Sequence, residues 1–198
     1  MRRGTLAALG LAYGLFGVTF RGERKLFWNR MTATGLTLGA LALAGGEGER
    51  LKPRLRDLPL GLAIAAGLYA IFREGDRRAR EVMPRGDAEI AEIYALREIK
   101  PREEIALRLA AVIGPAEELF WRGWLQRRIG WLPSAAAYAG AHLVTGNPTL
   151  IGAAAVAGLY WAALSALGVP MGALIASHAA WDIWIFLVSP TDRREEVR

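Results

Sequence analysis

The feature that most constrains this chain is where its charges are missing. Of 198 residues 44 are charged, yet residues 5–20, 31–46 and 58–72 contain none and are rich in Leu, Ala and Gly. Each run is slightly shorter than the roughly 17–25 residues of a spanning helix. A residue or two from either flank, or a thinner bilayer, completes the crossing. One such run alone would suit a buried helix in a water-soluble core. Several in succession do not. With Gly counted and Tyr left out, about 62% of the chain is apolar, against about 45–50% for soluble domains. The expected fold class is all-α: a polytopic transmembrane helical bundle.

Residues 73–104 change character, with eight basic and nine acidic side chains. Ile90, Ile93, Tyr94 and Leu96 recur there at helical spacing, so a charged amphipathic interspan helix at the surface is expected, with a solvated linker as the alternative. The signs are mixed and form no basic stripe, so the net charge of +6 implies no nucleic-acid partner.

Residues 105–189 hold only seven charges. Apolar helices fit 105–126, 131–145, 150–167 and 169–188, with Gly130, Gly146 to Pro148 and Gly168 to Pro170 as turn residues between them. The total is about seven spans, with no internal repeat. The expected organisation is three spans in 1–72, a charged surface segment in 73–104, a helical core in 105–189 and a polar tail in 190–198.

No small-x-small cleavage pattern precedes the basic cluster at 21–30, so the first run reads as a retained span. With seven spans, fifteen basic loop residues fall on one side and eight on the other. The richer side, with the C-terminus, is expected in the cytoplasm. Arginine outnumbers lysine 22 to 3, which suggests a GC-rich genome and a multi-pass protein of a bacterial cell membrane.

The absence of Cys removes disulfides, thiolate zinc sites, iron–sulfur clusters and cysteine nucleophiles together. What remains is carboxylate and imidazole. A charge at the bilayer centre costs at least about 2.5–3.5 kcal/mol, so each one there requires a reason. Arg108, Arg127 and Arg128 lie near helix ends and can snorkel. Six candidates are left: Glu117, Glu118, Arg122, His142, His178 and Asp182. They include both histidines of the chain.

Their spacing carries chemical content. Glu118 and Arg122 are four apart with the acid first, the favourable order for an ion pair. Glu117 points about 100° away around the helix and is left to face something else, as a general base would. His178 and Asp182 are also four apart, so the carboxylate can orient or charge the imidazole. His142 follows Tyr138 by one turn. Each feature has a plainer explanation in a structural clasp, a satisfied core histidine or a proton relay. Three helices that each bring ionisable groups into one apolar bundle favour a composite site.

Pro115-Ala116-Glu117-Glu118-Leu119-Phe120-Trp121-Arg122-Gly123 resembles the EExxxR signature of the CPBP intramembrane proteases, the family of CAAX prenyl endopeptidases and bacterial Abi self-immunity proteins. Tyr138-x-x-x-His142 is similar to the family's FxxxH motif, and His178-Ala-Ala-Trp-Asp182 to its HxxxN or HxxxD motif. The likeness covers about residues 105–186, under half the chain. Tyr138 stands where Phe is usual, Asp182 where Asn is commoner, and Trp121 where Phe is frequent.

The resemblance implies an endopeptidase acting on a membrane-associated protein or peptide. Glu117 and His142 would hold and deprotonate a water, His178 and Asp182 would polarise the scissile carbonyl, and Glu118 with Arg122 would fix the helix. Zinc held by Glu117, His142 and His178 would fit a three-ligand site with an open position, although HExxH spacing is absent. A metal-free glutamate mechanism fits the same residues. A proton- or ion-coupled carrier could use all six as a relay, but two matching halves with interrupted helices are not seen. A catalytically idle scaffold would be expected to lose the motif residues. The bilayer and the substrate are the partners implied.

Overall fold

The computed structural model describes residues 3–48, 54–82 and 85–189. Among these the chain is about 90% helical and has no strands. Helix α1 is Arg3–Arg21. Helix α2 is Phe27–Ala42, continued by a π turn at Leu43–Glu47. Helix α3 is Asp57–Val82 and α4 is Gly86–Tyr94. A nearly continuous rod follows. It runs from α5 (Arg102–Arg108) through a π segment at Leu109–Ile113 into α6 (Gly114–Glu117), and through a second at Glu118–Leu125 into α7 (Gln126–Ile129). Helix α8 is Trp131–Ala141, ending in a 3-10 turn at His142–Thr145. Helix α9 is Pro148–Ala166, and α10 is Met171–Ile183 with a π turn at Trp184–Val188.

The breaks fall where Gly and Pro demanded them. Gly130 at φ 90° separates the rod from α8, and Gly146 and Gly168 also take positive φ. Asn147 caps α9 by accepting from the Leu150 N–H at 2.9 Å, with Pro148 at the first helical position.

Among the described residues four helices are long and apolar enough to cross a membrane: Arg3–Arg21, Asp57–Arg78, Pro148–Ala166 and Met171–Val188. About seven spans were expected; among the described residues length and composition support these four. Helix α2 has 16 α-helical residues and α8 has 11, while the rod carries the buried charges. All eight residues of Glu118–Leu125 are buried, so that stretch needs no apolar face toward lipid. The expected tail at 190–198, and with it Arg193, Arg194 and Arg198 of the orientation argument, lies outside the described residues, as do Arg2, Arg50 and Lys52.

One feature of the charged segment differs from expectation. Helix α3 does not stop at Phe72 but continues to Val82. Pairs one turn apart support the extension: Glu74 accepts from Arg77 at 2.8 Å and from Arg78 at 2.7 Å, and Asp76 pairs with Arg80 at 3.1 Å. Helix α4 is amphipathic as expected, with Asp87 and Glu92 exposed on its outer face. Ile90 and Tyr94 are buried against Ile185, Phe72, Trp181 and Phe186.

Small residues let the helices approach closely. Gly35 and Gly39 on α2 have GxxxG spacing and face the rod, where a Cβ at Gly39 would lie 3.3 Å from the Ala116 Cβ. At Gly61 of α3 an added Cβ would come within 2.7 Å of the Ala176 Cβ on α10. These contacts place the rod inside the bundle, with α2, α8 and α10 packed against it and α1 lying between α2 and α8.

Candidate active site

Glu117 closes α6 and Glu118 opens the second π segment, so the two acids leave the rod in different directions. Glu118 is fully buried and pairs with Arg122, Nη1 to Oε1 at 3.1 Å. The same Oε1 accepts from His178 Nδ1 at 2.7 Å. The His178–Asp182 spacing had suggested Asp182 as the carboxylate that orients this imidazole; the closer partner is Glu118, from another helix. A carboxylate accepts, so Nδ1 is the donor and Nε2 points the other way. Nε2 lies 3.6 Å from Asp182 Oδ2 and 4.0 Å from Glu117 Oε2.

Aromatic rings fix this arrangement. The Arg122 guanidinium carbon lies 4.4 Å from the Tyr138 ring centroid and 5.2 Å from that of Trp161, within cation–π range. Trp161 stacks on His178 with centroids 4.0 Å apart and planes 18° apart. Its indole N–H donates to Ser177 Oγ at 3.0 Å, and that hydroxyl donates to the Leu174 carbonyl at 2.7 Å. His178 is therefore held at Nδ1 by Glu118 and across its face by Trp161.

His142 stands at the end of α8. Its Nδ1 donates to the Tyr138 carbonyl at 2.9 Å, which leaves Nε2 as a bare acceptor in the neutral ring. Phe16, Phe20 and Tyr138 surround it, with centroids 5.1, 5.8 and 4.9 Å away. Among the described residues His142 makes no hydrogen bond or ion pair with either glutamate. The Tyr138 hydroxyl lies beside the Glu117 carboxylate.

A cavity of about 470 Å³ divides the six residues. Glu117, His142, His178 and Asp182 line it, together with Tyr138, whereas Glu118 and Arg122 stand behind its wall. All six are thus brought together, four facing the cavity and two supporting them. Much of the remaining lining is apolar, including Trp28, Phe72, Ile90 and Phe186. The result is an acid and an imidazole with a free acceptor nitrogen facing one apolar space, next to a second imidazole anchored from behind.

Among the described residues no three His, Asp or Glu side chains are grouped so as to hold a metal ion. His178 Nδ1 is taken by Glu118, so only Nε2 of that ring is left for the cavity that Glu117 and His142 also line. The expected zinc set of Glu117, His142 and His178 is not gathered as a metal site, and no step below passes through a metal.

Several contributors had no motif to announce them. Trp161 and Ser177 lie between the recognisable motifs. Phe16 and Phe20 come from α1, where the only signal was their spacing of four on an apolar helix. Tyr138 had been noted as a departure from Phe, and its hydroxyl indeed reaches the site.

Residues 104–184 match the family model of the type II CAAX prenyl endopeptidase Rce1-like proteins. That match spans the stretch that carries all three motifs and supports a likeness to the CPBP intramembrane proteases there. No curated protein and no solved structure matches the chain.

Proposed function

We propose that the protein is an intramembrane endopeptidase that hydrolyses a peptide bond of a membrane-associated protein or peptide, with Glu117 as general base. The observation that carries this reading is the split of the six ionisable residues into four that face one cavity and two that brace them. A carrier relay would need its groups strung across the bundle, and an idle scaffold would need no such bracing.

In the proposed reaction a water lies between Glu117 and the free Nε2 of His142. Glu117 takes its proton as the oxygen attacks the scissile carbonyl carbon. The oxyanion that forms is met by the N–H at His178 Nε2, which Glu118 at Nδ1 and Trp161 across the ring hold in place before the substrate arrives. Asp182, 3.6 Å from Nε2, supports the positive charge on that ring. Protonated Glu117 then hands its proton to the leaving amide nitrogen, the C–N bond breaks, and the acid and amine products separate. Arg122 pairs with Glu118 and keeps it directed at His178. The protein's setting is proposed to be a bacterial cell membrane, with the C-terminus in the cytoplasm.

Glu117→Gln tests the assignment in purified protein reconstituted with a membrane-anchored peptide reporter. Cleavage is expected to fall about 100- to 10,000-fold, the range for losing a general base, with the thermal midpoint unchanged. Cleavage at the normal rate would overturn the assignment. Exhaustive chelation followed by metal analysis separates the two chemistries: the metal-free mechanism predicts full activity in protein shown to hold no zinc.

A further inference from the structure

Helix α4 is held differently from the rest of the bundle. Ile90 and Tyr94 form a small cluster of their own with Ile185, backed by Phe72, Trp181 and Phe186. The Tyr94 and Phe186 rings are 5.6 Å apart. Ile90, Ile93 and Tyr94 also line the cavity that Glu117, His142 and Asp182 face. The helix is therefore one wall of the catalytic space, and its apolar anchorage is a satellite of the main core.

Its other attachments are polar. Glu89 Oε2 accepts from the Thr149 N–H at 3.1 Å and from the Thr149 hydroxyl at 2.7 Å. Asn147, the cap of α9, donates to the Glu89 carbonyl at 3.0 Å and to Glu92 Oε2 at 3.4 Å. A carboxylate from α4 thus sits on the N-terminus of α9, where free N–H groups and the helix dipole favour an anion. Beyond it, the Trp28 indole N–H donates to the Leu96 carbonyl at 2.9 Å and Arg24 donates to the Glu92 carbonyl at 3.3 Å. Pro148, Thr149 and Leu150 themselves line the cavity, so this latch stands at its rim.

A small apolar cluster plus a few water-exchangeable hydrogen bonds is the kind of attachment that opens locally while the rest stays folded. A peptide chain reaching Glu117 among packed helices needs such a movable wall. We propose that α4 is a lid on the catalytic cavity, latched shut by Glu89 on the N-terminus of α9, and that release of the latch admits the substrate. The substrate clause rests on the endopeptidase reading above; the lid itself does not.

The chain has no Cys, so an introduced thiol has no background. Ala157 is buried on the cavity wall, and Ala157→Cys in reconstituted protein reports opening through its rate of labelling by a water-soluble maleimide. Adding Glu89→Ala is expected to raise that rate at least about tenfold, as loss of a hydrogen bond to a charged group implies. An unchanged rate overturns the lid. Should Ala157→Cys fail to fold, Ala153→Cys on the same wall replaces it. In the second arm, Glu89→Cys with Thr149→Cys is bridged by a short, reductant-cleavable thiol crosslinker. Reporter cleavage is expected to drop at least about tenfold and to return on reduction; undiminished cleavage by the bridged protein overturns the proposal. Labelling does not depend on catalysis, so a wrong peptidase reading and a wrong lid leave different signatures.

Discussion

Two regions of this molecule use the same charged residue types to opposite effect. Along the end of α3, Glu74 accepts from both Arg77 and Arg78 on an open surface, with all three side chains well exposed. Within the bundle, Glu118 accepts from His178 and pairs with Arg122 while scarcely a trace of either partner reaches the surface. Geometrically the two clusters are alike. Energetically they are far apart, because water already solvates the first and screens its attractions, whereas the second was stripped of water and depends on its partners. Charges on the outside of such a chain describe its surroundings; those inside describe what it does.

The largest test of that contrast is Arg122→Leu. It leaves Glu118 buried without its cation and is expected to cost about 3–5 kcal/mol of stability, read as a lowered thermal midpoint in detergent, with cleavage lost as His178 slips out of position. A midpoint close to wild type would mean that the interior pair is as dispensable as the exterior one. Ser177→Ala should have a smaller effect. It strands the buried Trp161 N–H that now donates to Ser177 Oγ, at a cost of about 1–3 kcal/mol, and lowers kcat more than it raises KM because the ring stacked on His178 loosens. At the other extreme, Glu74→Gln removes the acceptor of two arginines and is expected to leave both the midpoint and cleavage unchanged. A fall comparable to that of Arg122→Leu would erase the distinction.

Much of this organisation could be read before any coordinates. The helix positions were legible because charge is excluded from long runs, a pattern that only burial in lipid or protein rewards. The six candidate residues stood out for the complementary reason: an ionisable group in an apolar helix is too costly to be incidental. Spacing within one helix was also informative, and the Glu118–Arg122 pair lies where i to i+4 geometry places it. What could not be read depends on distant packing. The hydrogen bond from His178 to Glu118 joins residues 60 apart, and no local pattern prefers Glu118 over the nearer Asp182. The π winding of Leu109–Ile113 and Glu118–Leu125 is a response to surrounding helices, with no composition of its own. The inward turn of Ile90 and Tyr94 required knowing that Ile185 and Phe186 wait on the other side. Nothing in the uncharged run of α1 singled out Phe16 and Phe20, whose rings lie against His142.

The eight buried residues of Glu118–Leu125 also bear on how the protein is made. A segment holding an acid and an arginine partitions poorly from the translocon into lipid by itself, since a charged residue at a helix centre costs about 2.5–3.5 kcal/mol on the insertion scale. It emerges from the ribosome after α1 and α3, which are long and apolar enough to cross a bilayer, and after the shorter α2. The glycine face of α2, lying against the rod at Ala116, is already in place as a docking surface when the charged segment arrives. On this arrangement, integration of the segment that carries Glu118 and Arg122 is coupled to assembly of the bundle, with α2 as the surface it packs on.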